Sequence, residues 1–271
     1  DDLGVPFDEL DVIGGAAELG LDPILGGRNQ AALERMAEAV GAPELRVADA
    51  TRADSLAPLM DGVGCVINCA GPFARLGEPV LRAAIENGAH YLDTTGEQLW
   101  MARMMDLYSA DAERNGVTAI LAHAFEYAVG DCAARIAVEE TPGAETVEVV
   151  NRVEGFGTSR GTKKSALDVL TKPALAVVNG RRREEAQLAH RIQLRFPDED
   201  HDCVAVSYGG GEVLSIPTFA PTVRSVRTYL AVPGVVAMLA PILTRAVAPM
   251  LTRSLQRFLE SRIDQSSEGP G

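Results

Sequence analysis

The chain has 271 residues, 46% of them hydrophobic and 23% charged, enough apolar surface for one large or two medium globular domains. Its net charge of −13 argues against nucleic acid as a main partner, because phosphate binding relies on a basic surface. Cys65, Cys69, Cys132 and Cys203 follow no zinc or redox spacing and read as buried free thiols of a reducing, cytoplasmic compartment.

The chain opens acidic and polar, with no initiator Met and no basic segment ahead of an apolar core, so export is not indicated and the start reads as cut. Residues 12–20 read as the back half of a helix whose preceding strand and Gly-rich turn are absent. Gly14, Gly15, Gly20, Gly26 and Gly27 do not supply the spacing that lets backbone N–H groups approach a pyrophosphate. Strands are expected at 22–26, 45–50, 65–70, 90–94 and 117–122, and helices at 30–40, 53–60, 78–87, 98–115 and 130–140. Gly41, Gly88 and Gly116 stand where helix C-caps belong. This alternation specifies a parallel sheet with crossover helices, an α/β fold.

Beyond Gly143 the pattern lengthens, with strands expected at 145–153, 189–196, 203–208, 212–216 and 224–230 and one helix at 163–178. Such runs fit a second, α+β domain with a mixed or antiparallel sheet, in which 196–202 is an acidic, solvated turn. Charge changes with the pattern: residues 1–150 carry 26 acidic and 9 basic side chains, residues 151–271 carry 12 and 16. Domains at 1–142 and 143–271 are therefore expected. The run 229–243 is apolar but broken by Pro233, Gly234 and Pro241, and is too short for a spanning helix of about 20 residues. It fits a helical layer on the sheet or at an oligomer contact, or a greasy wall or membrane-surface patch beside Arg245, Arg253, Arg257 and Arg262. The tail 265–271 is polar and turn-rich and is expected to fray.

Chemistry in a parallel α/β sheet gathers at the carboxyl ends of the strands. After the first expected strand come Gly27, Arg28 and Asn29. Arg28 stands where an acid would receive a ribose 2′-hydroxyl and a cation a 2′-phosphate; its forked donors favour NADP over NAD. Asp49, beside Ala50, can accept from an adenine amino group or open a helix. Asn68, Ala70, Gly71 and Pro72 form a turn whose small residues admit a ribose and pyrophosphate to the backbone, or a plain strand-to-helix turn. Asp93, Thr94, Thr95, Gly96 and Glu97 end the next run, with Glu97 placed to cap the helix that follows.

His123, Phe125, Glu126 and Tyr127 line a further turn, with Gly130 and Asp131 opening a helix. Tyr127 and Asp93 are the candidate catalytic residues, Tyr127 as a proton donor after hydride transfer. Thr94 joins Gly27, Arg28, Asn29, Asp49, Ala50, Asn68, Ala70, Gly71 and Pro72 as candidate cofactor contacts. His90 and His123 lack partners at metal-ligand spacing, so no metal is expected. No G-x-S-x-G elbow appears. The Gly/Ser/Thr-rich stretch 157–165, with Arg160 and Lys163, can hold an anion or start a capped helix.

Taken together, Gly27-Arg28-Asn29, Val47-Ala48-Asp49-Ala50, the run from Val66 through Gly77 to Val80, His90 to Glu97, and Phe125 to Asp131 resemble the saccharopine dehydrogenase-like oxidoreductases, particularly the bacterial branch with trans-acting enoyl reductases. The resemblance implies a Rossmann domain that binds NADP, followed by a second α/β domain that covers the nicotinamide and shapes a substrate pocket. Three departures stand out. The opening strand and Gly-rich turn are missing, the Gly-Phe-Asp-Tyr-Val-Pro-Gly-Asp run reads Ala124-Phe125-Glu126-Tyr127-Ala128-Val129-Gly130-Asp131, and the C-terminus stops short.

The expected function is that of an NADP-dependent oxidoreductase reducing an enoyl, carbonyl or imine group on a lipid-like or small-molecule substrate. The alternatives are a non-catalytic dinucleotide-binding or membrane-associated protein and a saccharopine-type dehydrogenase. The last needs paired cations for two carboxylates, for which Arg152 and Arg160 are the candidates. A peripheral membrane contact and a homo-oligomer stay open.

Overall fold

In the computed structural model, which describes residues 15–16, 19–40, 44–153, 172–234, 237–239 and 262, the first half of the chain alternates short strands with helices. The order is β1 (Ile24–Gly27), α1 (Gln30–Val40), β2 (Glu44–Val47), α2 (Ala53–Leu59), β3 (Cys65–Asn68), α3 (Phe73–Glu86), β4 (His90–Asp93), α4 (Gln98–Arg114) and β5 (Ala119–Ile120). β1 pairs in parallel with β2, and β3, β4 and β5 form a second parallel set. Parallel strands need a long crossover, and α1, α3 and α4 supply it. The result is a Rossmann-like α/β arrangement.

The ends of α3 and α4 follow from their glycines. Gly88 and Gly116 take φ of 72° and 66°, a region open to glycine at little cost. There the Ala89 N–H donates to Ala84 O and the Val117 N–H to Ala112 O, closing both helices in the six-to-one pattern. Phe73, Gly77, Val80, Leu81 and Ala84 make the buried stripe of α3. Gly77 lets α4 approach: an added Cβ would stand 2.6 Å from Cζ2 of Trp100, whose ring lies 5.7 Å from that of Phe73.

The second half holds α5 (Phe125–Glu140), β6 (Thr146–Asn151), β7 (Ala174–Val178), β8 (Arg181–Glu185), β9 (Arg191–Leu194), β10 (Cys203–Tyr208), α6 (Glu212–Phe219) and β11 (Ser225–Val232). The sheet runs β8-β7-β11-β10-β9 with antiparallel pairings, and β6 adds to β11 in parallel, so it is mixed. Val226, Thr228 and Tyr229 of β11 are buried at its centre. The chain divides into two compact units, Asp1–His123 and Ala124–Gly271, and α5 packs on α6 and β6 within the second.

Several local expectations give way. Residues 212–216, expected as a strand, begin α6. Their continuous apolar run carries no period that separates strand from helix, while the three preceding glycines end β10. Within 163–178, expected as a helix, residues 174–178 are β7; residues 163–171 lie outside the described residues. The deciding signal is Asn179-Gly180, both at positive φ (53° and 75°), the two-residue turn that joins β7 to the unexpected strand β8. Helix α3 starts at Phe73 and α5 at Phe125, so Gly130 and Asp131 lie inside α5 instead of opening it.

The cysteines are free but not buried: Cys65 and Cys132 are exposed, Cys69 and Cys203 half-buried. β3 is accordingly no buried strand, and Ile67 is 48% exposed, because no described strand flanks it opposite β4. Gly41, the stretch 157–165, most of 229–243 beyond β11, and the tail 265–271 fall outside the described residues.

Candidate functional site

Within the first unit, Gly27, Arg28 and Asn29 follow β1, and Asp49 and Ala50 follow its neighbour β2. The Ala48 N–H donates to Gly27 O at 2.9 Å, which ties the two strand ends. Asn29 caps α1, its Oδ1 accepting from the Ala32 N–H at 3.2 Å. Asp49 Oδ1 accepts from the Thr51 N–H and hydroxyl, both at 2.8 Å. These bonds hold the Asp49 carboxyl below its ordinary value, with the charges of Arg28 and Arg52 adding to the effect. Arg28 is exposed, close enough to Asp49 to be felt, and held in no ion pair among the described residues. Asp49 thus keeps a negative charge at its own turn, and Arg28 presents a guanidinium to solvent at the end of β1.

A second group follows β3 and β4, which register Asn68 against Asp93. Asn68 is buried; its Nδ2 donates to the Tyr91 hydroxyl at 3.0 Å and its Oδ1 accepts from the Ala70 N–H at 3.0 Å. Asp93 is fully buried, and its Oδ1 accepts from the N–H groups of Thr95 (3.1 Å) and Ala122 (2.7 Å). Burial pushes the Asp93 carboxyl up, opposed by those two bonds and assisted by the Glu97 charge. Burial pushes the Tyr91 phenol up as well, the Asp93 charge adding to it. Ala70, Gly71, Pro72 and Thr94 are exposed. The buried polar pair therefore braces two turns whose small residues face solvent.

Glu97 caps a different helix from the one expected. Its carboxylate accepts from the N–H groups of Phe73 (2.7 Å) and Ala74 (3.1 Å), at the start of α3. Pro72, the N-cap residue, offers no side-chain acceptor, so Glu97, 24 positions past Phe73, supplies one. Thr95 Oγ1 receives the Glu97 N–H at 3.1 Å and orients that turn.

In the second unit Tyr127 is 5% exposed, and its hydroxyl donates to Gly209 O at 3.5 Å. The polar centre that sequence reasoning missed is Glu212, fully buried in the first turn of α6. Asn151 Nδ2 donates to Glu212 Oε1 at 3.3 Å and to the Tyr208 hydroxyl at 2.7 Å. Two glycines make room for that carboxylate: an added Cβ would stand 2.3 Å from Oε1 at Gly130 and 2.4 Å from Oε2 at Gly210. Gly130 and the Gly209-Gly210-Gly211 run were the available signals. Arg152, a candidate carboxylate clamp, already pairs with Asp198 (2.7 Å) and Glu199 (3.2 Å) of the 196–202 turn and lies over the Phe196 ring. Arg160 lies outside the described residues, and the side chains of Phe125 and Glu126 do as well.

His90 Nδ1 accepts from the Thr118 N–H, and the His123 N–H donates to Asp93 O. Among the described residues no group of three His, Cys, Asp or Glu could hold a metal ion, and no helix is long and apolar enough to cross a membrane.

Residues 17–120, which contain every candidate contact of the first unit, match the family model of the saccharopine dehydrogenase NADP binding domain. The human saccharopine dehydrogenase-like oxidoreductase is 30% identical over 149 residues, 51% of this chain and 35% of that protein. A Mycobacterium tuberculosis protein, described as a proposed trans-acting enoyl reductase, is 30% identical over 163 residues, 58% of this chain and 39% of that one. The lipid droplet localized protein of Caenorhabditis elegans is 28% identical over 143 residues, 51% and 34% of the two chains. The chain thus spans about a third of the length of the curated relatives it matches. Among solved structures, apo saccharopine dehydrogenase (L-Glu forming) from Saccharomyces cerevisiae aligns with a TM-score of 0.54 at 12% identity, over 82% of this chain and 51% of that chain, which establishes a shared fold.

Proposed function

We propose that the first unit binds NADP in preference to NAD and that the protein is an NADP-dependent oxidoreductase, reducing an enoyl, carbonyl or imine group on a lipid-like or small-molecule substrate. The observation that carries the cofactor choice is Arg28: exposed, unpaired among the described residues, and set at the end of β1 inside the matched domain. Its fork suits a 2′-phosphate, and the exposed small residues of the Asn68–Pro72 and Asp93–Thr95 turns leave room for the rest of a dinucleotide. The bound cofactor would supply hydride chemistry. The chain's part is to hold the phosphate through Arg28 and to fix the two turns through Asn68, Tyr91 and Asp93. Asp93 in this reading acts through Thr95 and Ala122, and Tyr127 acts through Gly209.

Relatives described as an enoyl reductase and as a lipid droplet protein support the lipid-like end of the substrate range. The saccharopine-type alternative is less well supported, since the Arg152 charge is already answered by Asp198 and Glu199. The test is a fluorescence titration with NADPH and with NADH. Arg28→Ala is expected to weaken NADPH binding about 10- to 100-fold, the value of a charged hydrogen-bond pair, and to leave NADH within about twofold. Equal loss for both cofactors would refute the assignment. Oxidation of NADPH with crotonyl-CoA then tests the enoyl reading.

A further inference from the structure

The β7–β8 hairpin gathers positive charge, and at Arg181 and Arg183 no carboxylate among the described residues answers it. Arg181, Arg182 and Arg183 are consecutive and exposed on β8, the edge strand of the sheet. Alternation puts Arg181 and Arg183 on one face, opposite Val178 and Ala176 of β7, about 6.6 Å apart along the strand. Arg224 joins them from outside the edge strand. The Gly180 N–H donates to Arg224 O at 2.7 Å, Arg224 Nη2 donates to Asn179 O at 3.4 Å, and an added Cβ at Gly180 would stand 3.1 Å from Arg224 Nε.

Among the described residues, Arg181, Arg183 and Arg224 hold no carboxylate, whereas Arg135, Arg152, Arg195 and Arg227 each do. Glu185, the acid at the end of β8, is taken by Arg227 and His190. Charges on an edge strand guard against strand pairing, but Arg224 is not on that edge and the guarding role does not call for it. Small-ligand sites are concave, and neither the cavity lined by Ala174, Glu185 and Arg227 nor the one lined by Leu56, Pro79 and Arg82 has Arg181, Arg183 or Arg224 in its wall. An open row of unanswered guanidinium groups suits an extended, negatively charged surface.

We propose that Arg181, Arg183 and Arg224 form a docking surface by which the second unit binds an anionic lipid bilayer. This goes beyond the oxidoreductase reading and does not depend on it. A chain of net charge −13 is repelled by such a bilayer except where its cations cluster, and substitution at Arg181, Arg183 and Arg224 distinguishes this patch from the arginines at 245, 253, 257 and 262.

The experiment is co-sedimentation of the full chain with phosphatidylcholine vesicles, with and without about 30% phosphatidylglycerol, at low and physiological salt. Binding is expected only with the anionic lipid, and weaker at higher salt. Arg181→Ala, Arg183→Ala and Arg224→Ala together should weaken it on the order of a hundredfold, about fivefold for each arginine. The three lysine substitutions at the same positions should retain it. Arg52→Ala, Arg103→Ala and Arg114→Ala, an equal loss of charge at arginines that are already ion-paired, should leave it within about twofold. No association of the unaltered chain with anionic vesicles at low salt would overturn the proposal. Equal loss in the ion-paired control would do so too, and so would association with the patch arginines removed.

Discussion

Asp93 carries its carboxyl where water cannot reach it, which links protonation to folding. Its value is raised above the ordinary 3.8, so above that pH the folded chain retains a proton that the unfolded chain releases. Stability should therefore fall as pH rises from about 4 through the raised value, by about 1.4 kcal/mol for each unit of elevation. Asp93→Asn keeps an acceptor for Thr95 and Ala122 and cannot ionise. Urea midpoints measured from acid to neutral pH should lose that slope in the variant; an unchanged slope would assign it elsewhere. Asp93 and Arg28 were legible as residues at the ends of strands. The part proposed for Arg28 rests on one exposed side chain that the sequence already offers. The Asp93 role depends on Ala122, 29 positions away, and no local pattern announces that contact.

The same contrast holds among the elements. Helix α3 begins at a proline that cannot cap it, and the cap comes from Glu97 across the next strand. Glu97→Ala leaves the Phe73 and Ala74 N–H groups without that acceptor and should cost about 1 kcal/mol in chemical denaturation, with Glu97→Gln costing less. Gly130 inside α5 meets Glu212 of α6 so closely that Gly130→Ala should destabilise by about 1–3 kcal/mol. Adding Glu212→Ala to that variant should cost less than it does alone, a coupling that a double-mutant cycle would measure. The parallel elements of the first half were readable because period, glycine caps and apolar runs agree. The second half misled at residues 174–178 and 212–216, where apolar runs are too short for periodicity to decide. Strand β8 stayed hidden because an edge strand of Arg181 to Glu185 has no apolar face to betray it.

For the whole molecule, the swing from an acidic first half to a basic second one suggests a boundary near residue 142, whereas the compact units divide after His123, which places α5 in the second. The placement of α5 was not legible, since its partners α6 and β6 come later in the chain.

The thiols, expected to be hidden, have a practical side. Cys65 lies exposed in one unit and Cys132 exposed in the other. Burial pushes the Cys65 thiol up, so its reaction with a maleimide should quicken as pH rises above neutrality, and mass mapping of its adduct across pH would check this. Each half then offers a native attachment point for a dye, so that energy transfer between two labels could follow both halves as cofactor is added, with no engineered cysteine.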